Sequence, residues 1–396
     1  MRAVIVGGGI AGPALGLALQ RAGIEAAVLE RRADPDPEEG SYFTISPNGL
    51  DALDTVGALD LARGIGFGSR MNAMYGARGR LLGRISLGAP LLDDLTGLTM
   101  KRSALAVLLE DEAERRGVDV RRGARVVEVS GGEDGVRAVL DDGTTVEGDV
   151  LVGADGVHSL VRRAIDPEAP SGRYVGLTNF GGITRNTPVA RDLEPEAWHF
   201  VFGSGAFFGA HPTPAGDVVW FVNVPRGEIG RDERVSTTPE EWRQCLLELV
   251  RDDTGPAADL VADGELELAG DNTYDLPHVP AWSRDRMVLI GDAAHAPSPS
   301  SGQGASMALE DAVVLAMSLR DTADVPGALA AYEQERRDRV ERIVAAGARS
   351  GSSKIPGPVG RRFQEAVLRL VFRHAVTEKS TAWMSGHRIP WDVPAR

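Results

Sequence analysis

Residues Met1–Glu30 read MRAVIVGGGIAGPALGLALQRAGIEAAVLE, and the fold is decided there. Ala3-Val4-Ile5-Val6 is a short apolar run bounded by glycine, the pattern of a buried strand. Ala11 to Ala22 carries apolar residues at helical spacing until Gly23 stops it, and Ala26-Ala27-Val28-Leu29 is a second apolar run. Strand, helix and strand in so short a span predict a parallel pair with a right-handed crossover. Gly7-x-Gly9-x-x-Gly12 joins the first strand to the helix, and Glu30 closes the second strand. Those glycines permit a tight turn, close approach of a pyrophosphate and packing of helix on sheet. The helix start at Ala11 attracts phosphate, and Glu30, followed by Arg31, is placed to accept hydrogen bonds from a ribose. The reading is a Rossmann-like α/β opening for a dinucleotide, with NAD and FAD both open.

Beyond this unit the chain of 396 residues exceeds what one hydrophobic core usually fills, so two unequal lobes are expected. A hydrophobic fraction of 43% and a charged fraction of 25% are those of an ordinary packed domain. The net charge of -14 disfavours nucleic acid and anionic lipid as partners, so an anionic cofactor must meet a locally positive site. Cys245 is the only cysteine, which excludes an intrachain disulfide and a multi-cysteine metal site; no metal is expected. Arg2 followed by apolar residues imitates a secretion signal, but Gly7, Gly8, Gly9 and Gly12 interrupt the run, and a soluble cytoplasmic protein is expected. Oligomeric state, monomer or homodimer, stays open.

Ser46-Pro47-Asn48 signals a helix start, with the helix running to about Val56, and Lys101 to Arg116 is a second helix. Strands at Ala124–Val129, Val136–Leu140 and Thr144–Val146, with a turn at Asp141-Asp142-Gly143, predict a β-meander. From about Gly172 to Asp275 the chain turns to aromatic-rich β runs, and long helices follow at about 305–319 and 327–346. A discontinuous cofactor lobe (1–70, 98–171 and 276–350) and a β-sheet substrate lobe (71–97 and 172–275) are expected. Residues 351–396 form a C-terminal helix and tail: Val359, Phe363, Val367, Leu370 and Val371 make an apolar stripe flanked by Arg361, Arg362, Arg369 and Arg373, expected to brace the lobes.

Two further motifs separate FAD from NAD. Gly153-Ala154-Asp155-Gly156-Val157-His158-Ser159-Leu160-Val161-Arg162 follows one buried strand. Gly291-Asp292-Ala293-Ala294-His295 follows another, with Pro299 and Gly302-Gln303-Gly304 just beyond. With these the sequence closely resembles the class A flavoprotein monooxygenases, the family of para-hydroxybenzoate hydroxylase and the tetracycline-inactivating hydroxylases, over most of residues 1–350. The resemblance implies FAD as cofactor, with NADPH or NADH as co-substrate docking transiently. It implies that Asp155 and Gly156, with Arg162 in the same motif, serve FAD and the nicotinamide, and that Asp292 holds the ribityl chain or the adjoining pyrophosphate. Arg102 matches the family's flavin-contacting arginine, and by the same resemblance Pro299, Gln303 and Ala305 border the flavin, with Pro299 also expected at the catalytic centre. Ser306 departs from the asparagine that many members carry.

The physics of the last motif stands apart from the family name. Gly302 and Gly304 open a helix, whose bare N–H groups and positive dipole end suit the anionic reduced flavin. By resemblance, hydride passes to FAD, O2 adds to form a C4a-hydroperoxide, and its distal oxygen attacks an electron-rich carbon of an aromatic or polycyclic substrate. The substrate is expected on the second lobe's sheet. Alternation puts Phe208 on the face of Ala206 and Ala210, opposite Phe207 and His211, and sets Trp220 against Phe221; which face is the pocket stays open, so Phe208, Trp220, Phe221 and His211 are all candidates. His211 is the candidate base for a phenol, against a plain structural role. A flavin reductase or dehydrogenase, or a non-catalytic flavin-bound carrier, would share the motifs; a halogenase is disfavoured because its Trp-x-Trp-x-Ile-Pro signature is absent.

Overall fold

The computed structural model describes residues 1–351, 367–372 and 378–394. Strand Arg2–Val6 lies inside a six-stranded sheet, paired in parallel with Glu25–Glu30 on one side and Val150–Gly153 on the other. Asp119–Arg122, not foreseen as a strand, extends one edge, and Met287–Leu289 with antiparallel Ser283–Arg284 extends the other. Ala3, Val4, Ile5, Ala27, Val28, Leu151 and Val152 are fully buried, because helices cover one sheet face and a three-stranded β-meander packs on the other, and a central strand then has no side for water. The helices Ala11–Arg21 and Gly304–Asp321 pack against each other over this sheet. The meander is present as a three-stranded sheet of Val126–Gly131, Val136–Leu140 and Thr145–Gly148.

A second, seven-stranded sheet runs in the order Glu265–Asp275, Arg173–Thr184, Val218–Pro225, Phe207–Pro212, Ala197–Phe202, Met71–Gly76 and Leu81–Ser86. One of its faces is covered by helices Pro239–Val250 and Ala257–Asp263, in a stretch read from sequence as strands. The signal was there: Thr238 and Glu241 form a capping box with Pro239 in the first turn, and Trp242, Leu246 and Val250 follow at four-residue spacing on the buried side. The opposite face meets a small sheet of Tyr42–Ile45, Leu98–Lys101 and Phe67–Gly68 that belongs to the first half of the chain.

The C-terminal segment touches both sheet systems. Phe372 lies 6.3 Å from Phe202 between ring centroids, whereas Trp391 is held between the guanidinium groups of Arg21 and Arg320 at 4.9 and 4.7 Å. Arg388 pairs with Asp51 at 3.0 Å. Of the expected apolar stripe, Val359 and Phe363, with Arg361, Arg362 and Arg373, lie outside the described residues; Val367, Leu370 and Val371 are exposed, and Phe372 makes the contact instead. Among the described residues no helix is long and apolar enough to cross a membrane.

Candidate functional site

The strand ends converge on two helix starts. Gly7 adopts φ +113°, and a Cβ on it would stand 2.4 Å from the Ala154 carbonyl oxygen; one on Gly12 would stand 1.9 Å from the Gly7 oxygen. Both glycines are therefore demanded by the protein itself. Gly9 differs, because a Cβ there meets nothing within 4 Å. Its bare surface faces open space, as a ligand cradle does.

The helix from Ala11 has no side-chain cap and no acid in its first turn, and the same holds for the helix from Gly304. Their first backbone bonds, Ala14 N–H to Ile10 O and Met307 N–H to Gln303 O, leave the N–H groups of Ala11, Gly12, Gly304, Ala305 and Ser306 without partners inside the helix. A Cβ built on Gly291 would touch Ala11 Cβ at 3.3 Å and Ala308 Cβ at 3.2 Å, so the two positive helix ends flank one strand end. Two uncapped helix starts side by side suit a long, doubly anionic ligand.

The sequence-derived residues fall into distinct places. Glu30 accepts from Gly8 N–H at 2.7 Å, and its other oxygen accepts from Arg32 N–H at 2.9 Å; Arg32 makes that contact, while Arg31 is exposed beside it. Glu110, which sequence reading passed over, is fully buried behind Gly8, takes Arg122 at 2.9 Å and leaves Oε1 without a partner. Burial pushes its carboxyl up, and Arg122 only partly opposes that. Arg102 reaches Asp292 at 3.4 Å, is 65% exposed, and so keeps donors for a ligand. Pro299, Gly302, Gly304 and Ala305 line the accessible rim beside Asp292.

Asp155 spends its carboxylate on its own chain, accepting from Leu160 N–H at 2.7 Å and Val161 N–H at 3.1 Å, which caps a short helix and leaves Gly156 at φ +77° in open space. Arg162 is buried, and donates to the carbonyls of Pro170, Ala293 and Val157 at 3.1, 3.0 and 2.6 Å. It ties the Asp155 turn to the Gly291 turn from behind and turns no described donor toward the cleft. Gln303 points inward as well, donating to Ser46 Oγ at 2.9 Å and accepting from Asn48 at 3.1 Å. Ser306 accepts from Ser46 N–H at 3.2 Å.

Behind the Gly304 helix start lies a charge network that sequence reading missed. Glu310 and Asp311 are both fully buried; Arg336 meets them at 2.6 and 2.8 Å, Arg339 meets Glu310 at 2.7 Å, and His295 meets Asp311 at 2.6 Å. Burial alone would raise the Asp311 carboxyl, but His295 and Arg336 hold it well below the usual carboxylate range.

On the second sheet the open question of faces is answered. Phe208 and Trp220 lie on the side covered by helices, in the core with Phe180, Trp242 and Leu246, and Trp220 donates to Thr184 Oγ1 at 3.0 Å. The expectation that either touches substrate is corrected: both are sealed under the two helices. Phe221 lies on the other face with Trp198, Phe200 and Phe207. His211 shares that face but is fully buried in the seam, bonded to Ser69 Oγ at 2.9 Å and to the Pro212 carbonyl at 2.8 Å, with Phe67 and Trp198 against its ring. With both nitrogens engaged and no open side, it is not a base for a phenol, which corrects that expectation too.

Burial pushes the His211 imidazole down to about 4 from 6.5. Between those values the unfolded chain takes up a proton that the folded one refuses, so the stability this ring contributes is complete above about pH 6.5 and drains away as pH falls toward 4. Wild type is expected to lose roughly 3 kcal/mol more than His211→Gln between pH 7 and pH 4 in urea denaturation; equal pH slopes would refute the assignment.

A model of the FAD binding domain family matches residues 1–347 of this chain. The chain belongs to that family. This family member is 32% identical over 361 residues to the aurachin C monooxygenase/isomerase of Stigmatella aurantiaca, covering 88% of each chain. It is 34% identical over 357 residues to the 2-heptyl-3-hydroxy-4(1H)-quinolone synthase of Pseudomonas aeruginosa, covering 87% of each. The crystal structure of Klebsiella pneumoniae HpxO complexed with FAD and uric acid superposes with a TM-score of 0.81 at 27% identity, covering 93% of both chains. The class A flavoprotein fold and the FAD cofactor read from sequence are thus those of this chain, an FAD-dependent hydroxylase. The residues fit FAD: the Gly9 cradle and the Ala11 helix start suit a pyrophosphate, Glu30 suits a ribose diol, and the Gly304 helix start suits an anionic ring edge.

Proposed function

We propose that this chain uses NAD(P)H and O2 to hydroxylate a flat aromatic or polycyclic small molecule, in the tailoring of a natural product. One oxygen atom enters a C–H bond of the substrate and the other leaves as water, with NAD(P)H supplying the two electrons. The observation that carries the reading is the attachment of the anion-receiving loop to the aromatic sheet: Leu276, at the end of strand Glu265–Asp275, pairs with Ala296, between Asp292 and Pro299. Bound there, FAD supplies hydride acceptance and oxygen activation.

The protein's own work is holding and shielding. The Gly7–Gly12 turn and the N–H groups of Ala11 and Gly12 hold the pyrophosphate, and Glu30 accepts from ribose hydroxyls. The N–H groups of Gly304 and Ala305 stabilise negative charge on the ring edge without a side chain. Phe200 and Phe221, half-buried on the face opposite the helices, present apolar ring surface that orients an aromatic substrate and excludes water. Sealed in the seam, His211 supplies no acid–base group to this aromatic surface. In this reading 1–70, 98–171 and 276–350 form the cofactor lobe and 71–97 with 172–275 the substrate lobe. The relatives named for quinolone chemistry, and a neighbour crystallised with uric acid, support an aromatic heterocycle as substrate class.

The test is ligand-dependent oxidation of NADPH and of NADH by the holoenzyme, followed by product mass under labelled O2. One labelled oxygen in the product is expected. Bleaching of the flavin with no O2 consumed in any ligand's presence would instead establish a reductase.

A further inference from the structure

Five side chains cross the seam between the sheets in one unbroken line. Trp198 Nε1–H donates to Thr44 Oγ1 at 2.8 Å, the hydroxyls of Thr44 and Thr99 meet at 2.6 Å, those of Thr99 and Ser69 at 2.5 Å, and Ser69 Oγ meets His211 Nε2 at 2.9 Å. On the far side of the ring, His211 Nδ1 reaches the Pro212 carbonyl at 2.8 Å. Both ends of the line belong to the seven-stranded sheet, whereas Thr44 and Thr99 face each other in the small sheet and Ser69 follows its strand Phe67–Gly68. Ser69, Thr99 and His211 are wholly shut off from solvent, so their side chains are satisfied within the line.

Donor and acceptor chemistry admits one placement of the hydrogens. A carbonyl only accepts, so His211 Nδ1 carries the hydrogen; burial holds the imidazole down to about 4, and at neutral pH Nε2 is therefore bare. Ser69 must donate to Nε2 and, having one hydrogen, must accept from Thr99. Thr99 accepts from Thr44 in turn, whose oxygen then takes the Trp198 indole. Each hydroxyl donates once and accepts once. Reversing any hydroxyl link leaves two lone pairs face to face elsewhere in the line, so the links strengthen one another in a single direction.

The line matters because of what stands at its head. Trp198 stacks on Phe200 at 5.7 Å between centroids with the planes 16° apart, and lies 5.5 Å from Phe221, so the turn of the indole sets the tilt of both half-buried rings. Two residues beyond Thr44, roughly 7 Å along the chain, Ser46 holds the Gly304 helix start through Ser306 and Gln303. We propose that Thr44, Thr99, Ser69 and His211 are positioning residues, a polarised chain of hydrogen bonds that clasps the seven-stranded sheet to the cofactor half and fixes Trp198 behind the Phe200–Phe221 surface. The clasp is independent of the monooxygenase reading, which enters only in the use made of that surface.

Holoenzyme carrying isotope-labelled nitrogen in histidine and tryptophan tests it by magnetic resonance, with the signals assigned from His211→Gln and Trp198→Phe. At neutral pH the His211 ring is expected to bear its hydrogen on Nδ1 and none on Nε2; the opposite tautomer, or a hydrogen on both, would overturn the proposal. Thr99→Val breaks the line at its middle without altering Trp198, Thr44 or His211. It is expected to speed hydrogen exchange at the Trp198 indole about tenfold, while the Trp220 indole, bonded to Thr184 on the face covered by helices, keeps its wild-type rate. Thr99→Ser, which restores the hydroxyl, is expected to restore the Trp198 rate. Ser69→Ala cuts one link further on and is expected to give the same split, which serves where the valine variant does not fold. An unchanged Trp198 rate, or equal acceleration of both indoles as a general loss of stability produces, would overturn the clasp.

Discussion

Arg336→Met is expected to cost about 3–5 kcal/mol of folding stability and to strip the protein of its flavin. Arg336 is almost completely buried between Glu310 and Asp311, neither of which touches solvent. Deleting the cation leaves two carboxylates side by side in a low dielectric; His295 still serves Asp311 and Arg339 still serves Glu310, but the site has one positive charge fewer and loses the group that bridged both. Both carboxylates belong to the helix whose start faces the anionic ring edge, so uncompensated negative charge also opposes the positive field of that start. Urea denaturation of the apoprotein measures the first effect, and the flavin-to-protein absorbance ratio after purification measures the second. Adding Asp311→Asn to Arg336→Met is expected to recover part of the stability, since the surplus charge goes. A loss below about 1 kcal/mol would show that the network contributes little.

The same network sets the acid limit. Glu310 and Asp311 titrate below their ordinary values of 4.5 and 3.8, because the arginines and His295 outweigh burial. Their contribution is complete above those ordinary values and is lost as pH falls below them, adding to the loss already begun by His211 at higher pH.

Gly12→Ala is expected to weaken FAD binding by about a hundredfold or more and to lower stability by several kcal/mol. The added methyl would stand 1.9 Å from the Gly7 carbonyl oxygen, which is backbone inside a turn already held by the Gly7 N–H to Leu29 O bond at 2.9 Å. Relief requires the helix to lift off the strand, and the phosphate-binding N–H groups move with it. Isothermal titration of FAD into the refolded apoprotein reads the affinity; retention of wild-type affinity would mean the turn is looser than its geometry implies.

The first βαβ unit was legible because a strand buried on both sides must be apolar throughout, and Ala3–Val6 and Ala26–Leu29 are. The pocket face of the second sheet was not. Alternation says which residues share a side, and here both sides are aromatic: Phe208 and Trp220 on one, Phe207 and Phe221 on the other. Only the position of the helices Pro239–Val250 and Ala257–Asp263 decides, and their capping box lay in a segment whose neighbours read as strands. The buried charges stayed hidden for a different reason, since Glu310 and Asp311 look like ordinary helix surface. Yet Met307 to Leu319 is apolar almost all round, which leaves that helix no solvent face and forces any charge on it to find a buried partner. His211 stayed open between base and structural role because a ring between strand end and proline has the same sequence whether the seam above it is open or closed.

The central claim is that FAD lies across the bare backbone at Gly9, and a flavin fluorescence titration of apoprotein tests it most directly, with wild type and Gly9→Val side by side. A side chain at Gly9 meets no protein atom, so Gly9→Val is expected to melt within about 2 °C of wild-type apoprotein. Wild type should take up one FAD per chain while Gly9→Val binds at least about tenfold more weakly, because the valine occupies the place of the pyrophosphate. Well-folded wild type that refuses FAD, or a valine variant that binds it equally well, would contradict the claim.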